Sequence, residues 1–298
     1  MKIDQVSDSV HVVAGTNVNW ALIDDGSGVT VIDAGYPADT ADVLDSIHQI
    51  GRRPADVRAV LITHAHLDHI GAIPTLIEQA GMPVYTGAEE VRHAKREYLQ
   101  QITPTGMLKQ LANRRGRRWV AHTLRAVRGH TGMAVPRAET GEPATLAALP
   151  GGLLAIPTPG HTSGHTAYLM PSEGVLFSGD ALVTGHPLLP HTGPQLLPAV
   201  FNHDEKLTHD TALHLAMMQA HTLVPGHGLP ISFDRTHRRD LTVATNPSTR
   251  TIDPHNIRTR TSRRLHAGHS AELRCREPRE LNRPLPHRRT TTGTGTVG

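Results

Sequence analysis

The sequence HAHLDH carries four side chains with metal-binding chemistry directly after an apolar run at residues 59–62. The run predicts a buried strand, and side chains two positions apart in an extended chain project to the same side. His64 and His66 can therefore share one ion, while a turn after them directs Asp68 and His69 towards a second position. Imidazole nitrogen and carboxylate oxygen are ligands that suit zinc, with iron and manganese as competitors.

This pattern, HxHxDH after a hydrophobic strand, resembles the metallo-β-lactamase superfamily of dinuclear metal hydrolases. The resemblance implies three further ligands at the ends of later apolar runs. Three downstream motifs match the superfamily: TPGHTSGH with His161, a strand ending in Gly-Asp with Asp180, and PGHG with His227. The resemblance thus implies two ligand sets, joined by the bridging carboxylate of Asp180. The first set is His64, His66 and His161, and the second is Asp68, His69 and His227.

The same resemblance implies two supporting residues beside the ligands. Asp33 stands in a D-x-G turn, where the superfamily places a carboxylate that orients ligating histidines. His165 is the second histidine of TPGHTSGH, and the superfamily uses only the first as a ligand, so a structural or supporting role is expected. The single cysteine, Cys275, lies outside these motifs. The resemblance is therefore to the glyoxalase II-like and lactonase-like branch, not to the best-known antibiotic-hydrolysing branch.

Two adjacent divalent cations, expected to be zinc, lower the pKa of a shared water and hold it as a bridging hydroxide. The hydroxide attacks an ester-like carbonyl, and the cations stabilise the developing oxyanion. Asp68 is the expected catalytic residue, because it can orient the hydroxide and carry its proton to the leaving group. The expected activity is hydrolysis of a small thioester, lactone or related ester. The alternatives are an iron-dependent redox enzyme and a nucleic-acid-processing hydrolase on the same fold.

Strands alternate with helices after an antiparallel start, which predicts an α/β protein. The resemblance implies a four-layer αββα metallo-β-lactamase-like sandwich, and we expect that domain to occupy residues 1–234. A polar, basic stretch at about 87–128 with apolar residues at helical intervals predicts a helical insertion. Small residues, glycine and proline dominate from 129 to 150 and predict a loop that returns to the core.

The insertion contains ten lysine and arginine residues. They form either a solvated basic face or a lid whose cations attract an anionic substrate. The stretch 181–204 is expected to line the mouth of the site. His186 and His191 in that stretch contact substrate or are ordinary loop histidines.

Charge is distributed unevenly along the chain. Residues 235–298 contain fourteen arginines, no lysine and five acids, whereas the remainder contains sixteen basic and twenty-two acidic residues. The tail has few leucines or valines and no sustained periodicity, which predicts a disordered basic C-terminal segment. Two interpretations remain open. The segment is a basic arm that binds an acidic partner or nucleic acid, or it is an extension of the chain that selection has not maintained. Nucleic acid is not an expected partner of the acidic core.

The N-terminal sequence lacks the apolar core and cleavage site of a signal peptide. No apolar run reaches the ~18 residues that a membrane span requires. One cysteine also excludes a disulfide framework within the chain. We therefore expect a cytoplasmic protein that acts on a small-molecule substrate without membrane association.

Overall fold

The computed structural model describes residues 1–233, in which twelve strands form two β-sheets. The first sheet contains, in spatial order, β1 (Lys2–Gln5), β2 (Val10–Ala14), β3 (Asn19–Asp24), β4 (Val29–Ile32), β5 (Val57–Leu61), β6 (Val84–Thr86) and β7 (Ala138–Thr140). The second contains β8 (Leu154–Pro157), β9 (Thr166–Met170), β10 (Val175–Gly179), β11 (Thr222–Pro225) and β12 (Ile231–Ser232). The tail predicted to be disordered, 235–298, lies outside the described residues.

The described helices are α1 (Thr40–Gln49), α2 (Ile73–Ala80), α3 (Ala88–Ala94), α4 (Pro104–Gln110), α5 (Arg114–Ala126), α6 (Pro143–Ala148) and α7 (Glu205–Ala216). Strands β1 to β4 pair antiparallel and β4 to β7 pair parallel. In the second sheet β10 and β11 are parallel and the other pairs are antiparallel. Every residue of β4 and β10 is buried, as expected of strands covered on both faces.

Three apolar clusters separate four layers. One cluster joins the facing sides of the two sheets, with Ile23 and Ile32 from the first sheet and Phe177 from the second. Another packs α1 and α2 against the outer side of the first sheet. The third packs α7, through Leu215, against the outer side of the second sheet. The αββα sandwich is therefore confirmed.

The predicted helical insertion between β6 and β7 contains α3, α4 and α5. Helix α5 is amphipathic, since Trp119 and Val120 are buried while its arginines are exposed. Asn113 begins this helix by accepting a hydrogen bond from the backbone N–H of Gly116 at 2.9 Å. None of the helices in residues 1–233 is long and apolar enough to cross a membrane.

The interpretation of 129–150 as a loop is wrong, because this region contains β7 and α6. Strand β7 has only three residues, and Ala138, its one buried residue, pairs with Val84 of β6. Helix α6 has six residues, of which only Leu146 is buried. Elements this short contain fewer than two full periods of hydrophobic alternation, so pairing with β6 and packing of Leu146 define them instead.

Candidate metal centre

The seven predicted ligands lie in four loops that follow β5, β8, β10 and β11. The loop after β5 brings four of them, and each of the others brings one. Six of the seven are buried, whereas Asp68 is partly exposed. The structure brings all seven together: His64, His66, Asp68, His69, His161, Asp180 and His227.

Three histidines form the first group. Nε2 of His64 lies 3.0 Å from Nδ1 of His66, and Nε2 of His161 lies 3.1 Å from the same nitrogen. The three ring nitrogens thus point towards one position, and all lie within 4.8 Å of one another. This convergence on one point is the arrangement that a single cation requires.

The second group contains Asp68, His69 and His227, whose candidate ligand atoms also lie within 4.8 Å of one another. Oδ2 of Asp68 is 3.6 Å from Nε2 of His227 and 3.9 Å from Nε2 of His69. Asp68 is the ligand candidate nearest solvent, with 18% of its side chain exposed. A carboxylate at this position can face both a cation and a substrate.

Asp180 lies between the two groups. Its Oδ2 is 3.5 Å from Nε2 of His161 in the first group and 3.1 Å from Nε2 of His227 in the second. Its Oδ1 is 3.6 Å from Nε2 of His69. Glycine at 226 permits this packing, because a Cβ there would collide with Oδ1 of Asp180. One carboxylate therefore contacts both groups.

The donor set fits a pair of divalent cations. Nε2 of His69 and Oδ1 of Asp180 are buried and have no hydrogen-bond partner among residues 1–233. Leaving such atoms buried and unpaired costs about 1–3 kcal/mol each. A cation in the second group would engage both atoms, which lie 3.6 Å apart, and imidazole with carboxylate suits zinc, iron and manganese.

The protonation states agree with this fit. Burial and the neighbouring histidines lower the pKa of His64 and His66 well below the ordinary value, so both rings are neutral. Burial opposes ionisation of Asp180, but His227 and His69 hold its pKa well below the usual range. Burial lowers the pKa of His69 and His227, yet Asp180 and other carboxylates raise it above the ordinary value. A cation bound in the second group therefore displaces protons.

The outward nitrogen of each histidine in the two groups contacts a protein oxygen. These hydrogen bonds fix the ring orientation and the tautomer, and they leave the inward nitrogen free for a cation. The N–H donors and their acceptors are His64 to Thr63 Oγ1 at 3.1 Å, His66 to Gln100 O at 2.6 Å, His69 to Asp33 Oδ2 at 2.8 Å, His161 to Asn202 Oδ1 at 3.0 Å, and His227 to Asn17 O.

The two predicted supporting residues contact the groups from outside. Asp33 accepts the backbone N–H of Thr63 at 2.8 Å and its hydroxyl at 2.7 Å, besides the ring of His69. His165 accepts the backbone N–H of Asp180 at 3.0 Å through Nε2 and donates from Nδ1 to Thr158 at 2.7 Å. Burial lowers the pKa of His165 to about 3, so it remains neutral.

A sequence model of the metallo-beta-lactamase superfamily matches residues 13–227, which is more than half of the chain. The chain belongs to the metallo-β-lactamase superfamily. The matched range includes all seven predicted ligands, from His64 in HAHLDH to His227 in PGHG.

Two curated relatives of this metallo-β-lactamase superfamily member are named as hydrolases. The chain is 29% identical over 226 residues to the probable metallo-hydrolase YflN of Bacillus subtilis, covering 72% of this chain and 81% of that protein. It is 32% identical over 208 residues to a hydroxyacylglutathione hydrolase of Halorhodospira halophila, covering 70% of this chain. The chain spans only 59% of that second relative's length. The protein is accordingly a metallo-hydrolase.

Solved structures share the fold. A metallo-β-lactamase of Cronobacter sakazakii superposes with a TM-score of 0.54 at 20% identity, over 76% of this chain and 78% of that one. The metallo-β-lactamase family protein TTHA1429 of Thermus thermophilus gives a TM-score of 0.54 at 22% identity, over 80% and 79% of the two chains.

A buried network behind the ligand loops of the hydrolase was not predicted from the sequence. Oε1 of Glu90, on α3, accepts the backbone N–H of Ala65 at 2.6 Å and the ring N–H of His93 at 2.7 Å. Its Oε2 accepts the hydroxyl of Thr162 at 2.7 Å. The other nitrogen of His93 accepts the backbone N–H of Gln100, whose carbonyl orients His66. One fully buried carboxylate thus connects the loop after β5 with the loop that carries His161.

The metal centre of the hydrolase opens into a cleft of about 470 Å³, part of it open to solvent. His186 lines this cleft, and its ring centroid lies 5.3 Å from that of Phe201 and 5.1 Å from that of His227. His191 is exposed and does not line it. Of the two loop histidines considered from the sequence, only His186 is therefore placed to contact a substrate.

Proposed function

We propose that this protein is a dinuclear metal-dependent hydrolase of a small ester-like substrate, such as a thioester or a lactone. The proposal depends above all on Asp180, because its carboxylate lies within 3.5 Å of a histidine in each of two ligand groups. The first ion would be held by the three-histidine group, and the second by Asp68, His69 and His227. The relative named as a hydroxyacylglutathione hydrolase supports an ester-like substrate class.

When bound, two such cations, with zinc as the expected metal, supply Lewis-acid activation of water and of a substrate carbonyl. The residues of the chain orient the ligand atoms. Each histidine is held in one tautomer from behind, so the ring nitrogens remain aligned as a substrate enters. The apolar side of the cleft excludes bulk water from the reacting groups, which strengthens electrostatic interactions there.

Asp68 is the proposed catalytic residue. It lines the cleft and is partly exposed, whereas Asp180 is 2% exposed. A carboxylate in this position can accept a proton from the attacking water and deliver it to the leaving group. Within residues 1–233, Asp68 and Asp180 are the only carboxylates that line the cleft. Since Asp180 contacts both metal groups, Asp68 is the one available for proton transfer.

A hydrolysis screen on the full-length, metal-reconstituted protein tests this function. The panel contains thioesters, lactones, β-lactams and phosphodiesters, and elemental analysis is performed on the same sample. We expect turnover within the ester and thioester group that stops on chelation and returns when zinc is restored. Hydrolysis that survives complete chelation would contradict the proposal. An iron-filled protein that hydrolyses no member of the panel would favour the redox alternative.

A further inference from the structure

The wall of the cleft above the metal centre is apolar and uncharged. Its apolar members come from the loop after β5, the insertion and the loop after β10. They are Leu67, Ile102, Trp119, Val127, Leu197 and Phe201. Between residues 1 and 233, no lysine or arginine lines this cleft, and its only carboxylates are the two assigned to the metal centre. Apart from the metal centre, its polar groups are uncharged hydroxyl, amide, indole and imidazole groups.

The cations of the insertion lie elsewhere. Helix α5 contributes Trp119 and Thr123 to the cleft, whereas its arginines are exposed and none of them lines the cleft. Arg96 is partly buried, and its guanidinium donates to the backbone carbonyls of Ala65, His93 and Met133. Nε and Nη1 thus bind backbone carbonyls, whereas Nη2 is buried and has no hydrogen-bond partner among residues 1–233; Arg96 does not line the cleft. These positions favour the solvated basic face over a lid that attracts anions.

Trp119 provides an uncharged donor in the wall. Its side chain is buried, lines the cleft and packs edge-on against Phe201, with ring centroids 5.4 Å apart. Its indole N–H has no hydrogen-bond partner in the described part of the chain. A buried tryptophan N–H usually has a partner. A carbonyl or ether oxygen of a substrate would satisfy this donor without bringing a charge into the cleft.

A charged substrate group that lies far from the scissile bond would bind unfavourably in this cleft. It would lose its hydration shell and meet no cationic side chain of residues 1–233. Burying an unpaired charge is among the costliest events in a protein. An alkyl chain in the same place instead gains from leaving water.

We propose that the substrate is an uncharged ester or lactone whose apolar chain lies along the wall formed by Ile102, Trp119 and Phe201. Glutathione thioesters, which carry two carboxylates remote from the thioester, would be poor substrates, although a relative is named for that class. This inference rests on the proposed function. Trp119 is assigned as a specificity-determining residue.

The test compares two esters with the same number of chain carbons on the full-length, zinc-loaded enzyme. Phenyl hexanoate and phenyl hydrogen adipate differ only by a terminal carboxylate in place of a methyl group. We expect kcat/KM to be about 100-fold higher for the hexanoate, given the cost of an unpaired buried charge. S-Lactoylglutathione should resemble the adipate. Equal or higher kcat/KM for either anionic substrate would overturn the inference.

Introducing a cation should weaken the preference for the uncharged ester. Gln101 lines the cleft, so Gln101→Arg should raise kcat/KM for the adipate at least tenfold relative to the hexanoate. Gln110→Arg, in α4 and outside the cleft, is the matched control and should leave the ratio unchanged. If Gln101→Arg leaves the ratio unchanged, the wall does not select by charge and the inference fails.

A binding measurement separates this inference from the proposed function. Hexananilide and adipic acid monoanilide are amide analogues of the two esters, and their affinities for the zinc-loaded protein are measured by calorimetry. If neither ester is hydrolysed but hexananilide binds at least tenfold more tightly, the proposed ester hydrolysis fails and the preference for uncharged ligands stands. Equal affinities, or tighter binding of the monoanilide, would contradict the preference itself.

Discussion

Replacement of Asp180 by alanine should abolish stable binding of both metal ions and lower turnover by more than about 100-fold, since even outer residues of a metal site contribute about 10–100-fold. The carboxylate of Asp180 contacts both groups, at 3.5 Å from His161 and 3.1 Å from His227. Without it, two cations would face each other with one negative charge fewer between them. Both sites should therefore weaken together.

Metal content after dialysis, measured by elemental analysis, reports this effect directly, and ester hydrolysis is measured on the same samples. Asp180→Asn preserves the size of the side chain and separates loss of charge from loss of packing. Asp210→Ala is the matched control, because Asp210 is exposed and its ion pairs within residues 1–233 are with Lys206 and His209 on the same helix, α7. If Asp180→Ala retained both metals, the assignment of the bridge would be wrong.

Replacement of Glu90 by alanine should lower the free energy of unfolding by about 3 kcal/mol, since three buried donors lose their acceptor at roughly 1 kcal/mol or more each. Those donors are the backbone N–H of Ala65, the ring of His93 and the hydroxyl of Thr162. The melting midpoint should fall by roughly 10 °C in a domain of this size. Retention of metal in the three-histidine group should fall as well, because His66 and His161 lie in the loops that Glu90 connects.

Glu90→Gln should restore most of this loss. The amide oxygen can still accept the N–H groups of Ala65 and His93, and the hydroxyl of Thr162 can accept a hydrogen bond from the amide nitrogen. Glu89→Ala is the matched control, because Glu89 is exposed and its side chain contacts Arg92 at the surface. Thermal unfolding of the apoproteins and metal retention under chelator challenge are measured side by side. Equal behaviour of Glu90→Ala and Glu89→Ala would show that the network does not position the ligand loops.

The ligand groups could be predicted from the sequence because each candidate stands at the end of an apolar strand. Strands β5, β10 and β11 end at the loops of His64, Asp180 and His227, and these loops meet in space. Several short motifs can therefore indicate one shared site even when they lie far apart in the chain. The order of the motifs, matched to the superfamily, supplied the division into two groups.

The supporting contacts could not be predicted, because a backbone carbonyl has no sequence signature. Gln100 orients His66 through its carbonyl oxygen, and Asn17 orients His227 in the same way. Any residue type could present that atom. Glu90 is likewise indistinguishable from Glu89 in the sequence, and only the burial of one and the exposure of the other separates them.

The histidine that lines the cleft shows the same limit to prediction from sequence. His186 and His191 have the same chemistry and lie five residues apart in one loop. Packing of His186 against Trp119 and Phe201 places it in the cleft, while His191 is exposed. This packing depends on α5, which lies far away in the chain. Such a contact cannot be predicted from residue type and spacing within the loop.

The most direct test of the dinuclear centre is a zinc titration of the full-length apoprotein by calorimetry, with elemental analysis at saturation. Three histidine nitrogens form one group, an aspartate with two histidines forms the other, and Asp180 contacts both. We predict saturation at about two ions per chain, as a two-metal site requires. Saturation at one ion per chain would contradict the dinuclear centre and, with it, the role assigned to Asp180.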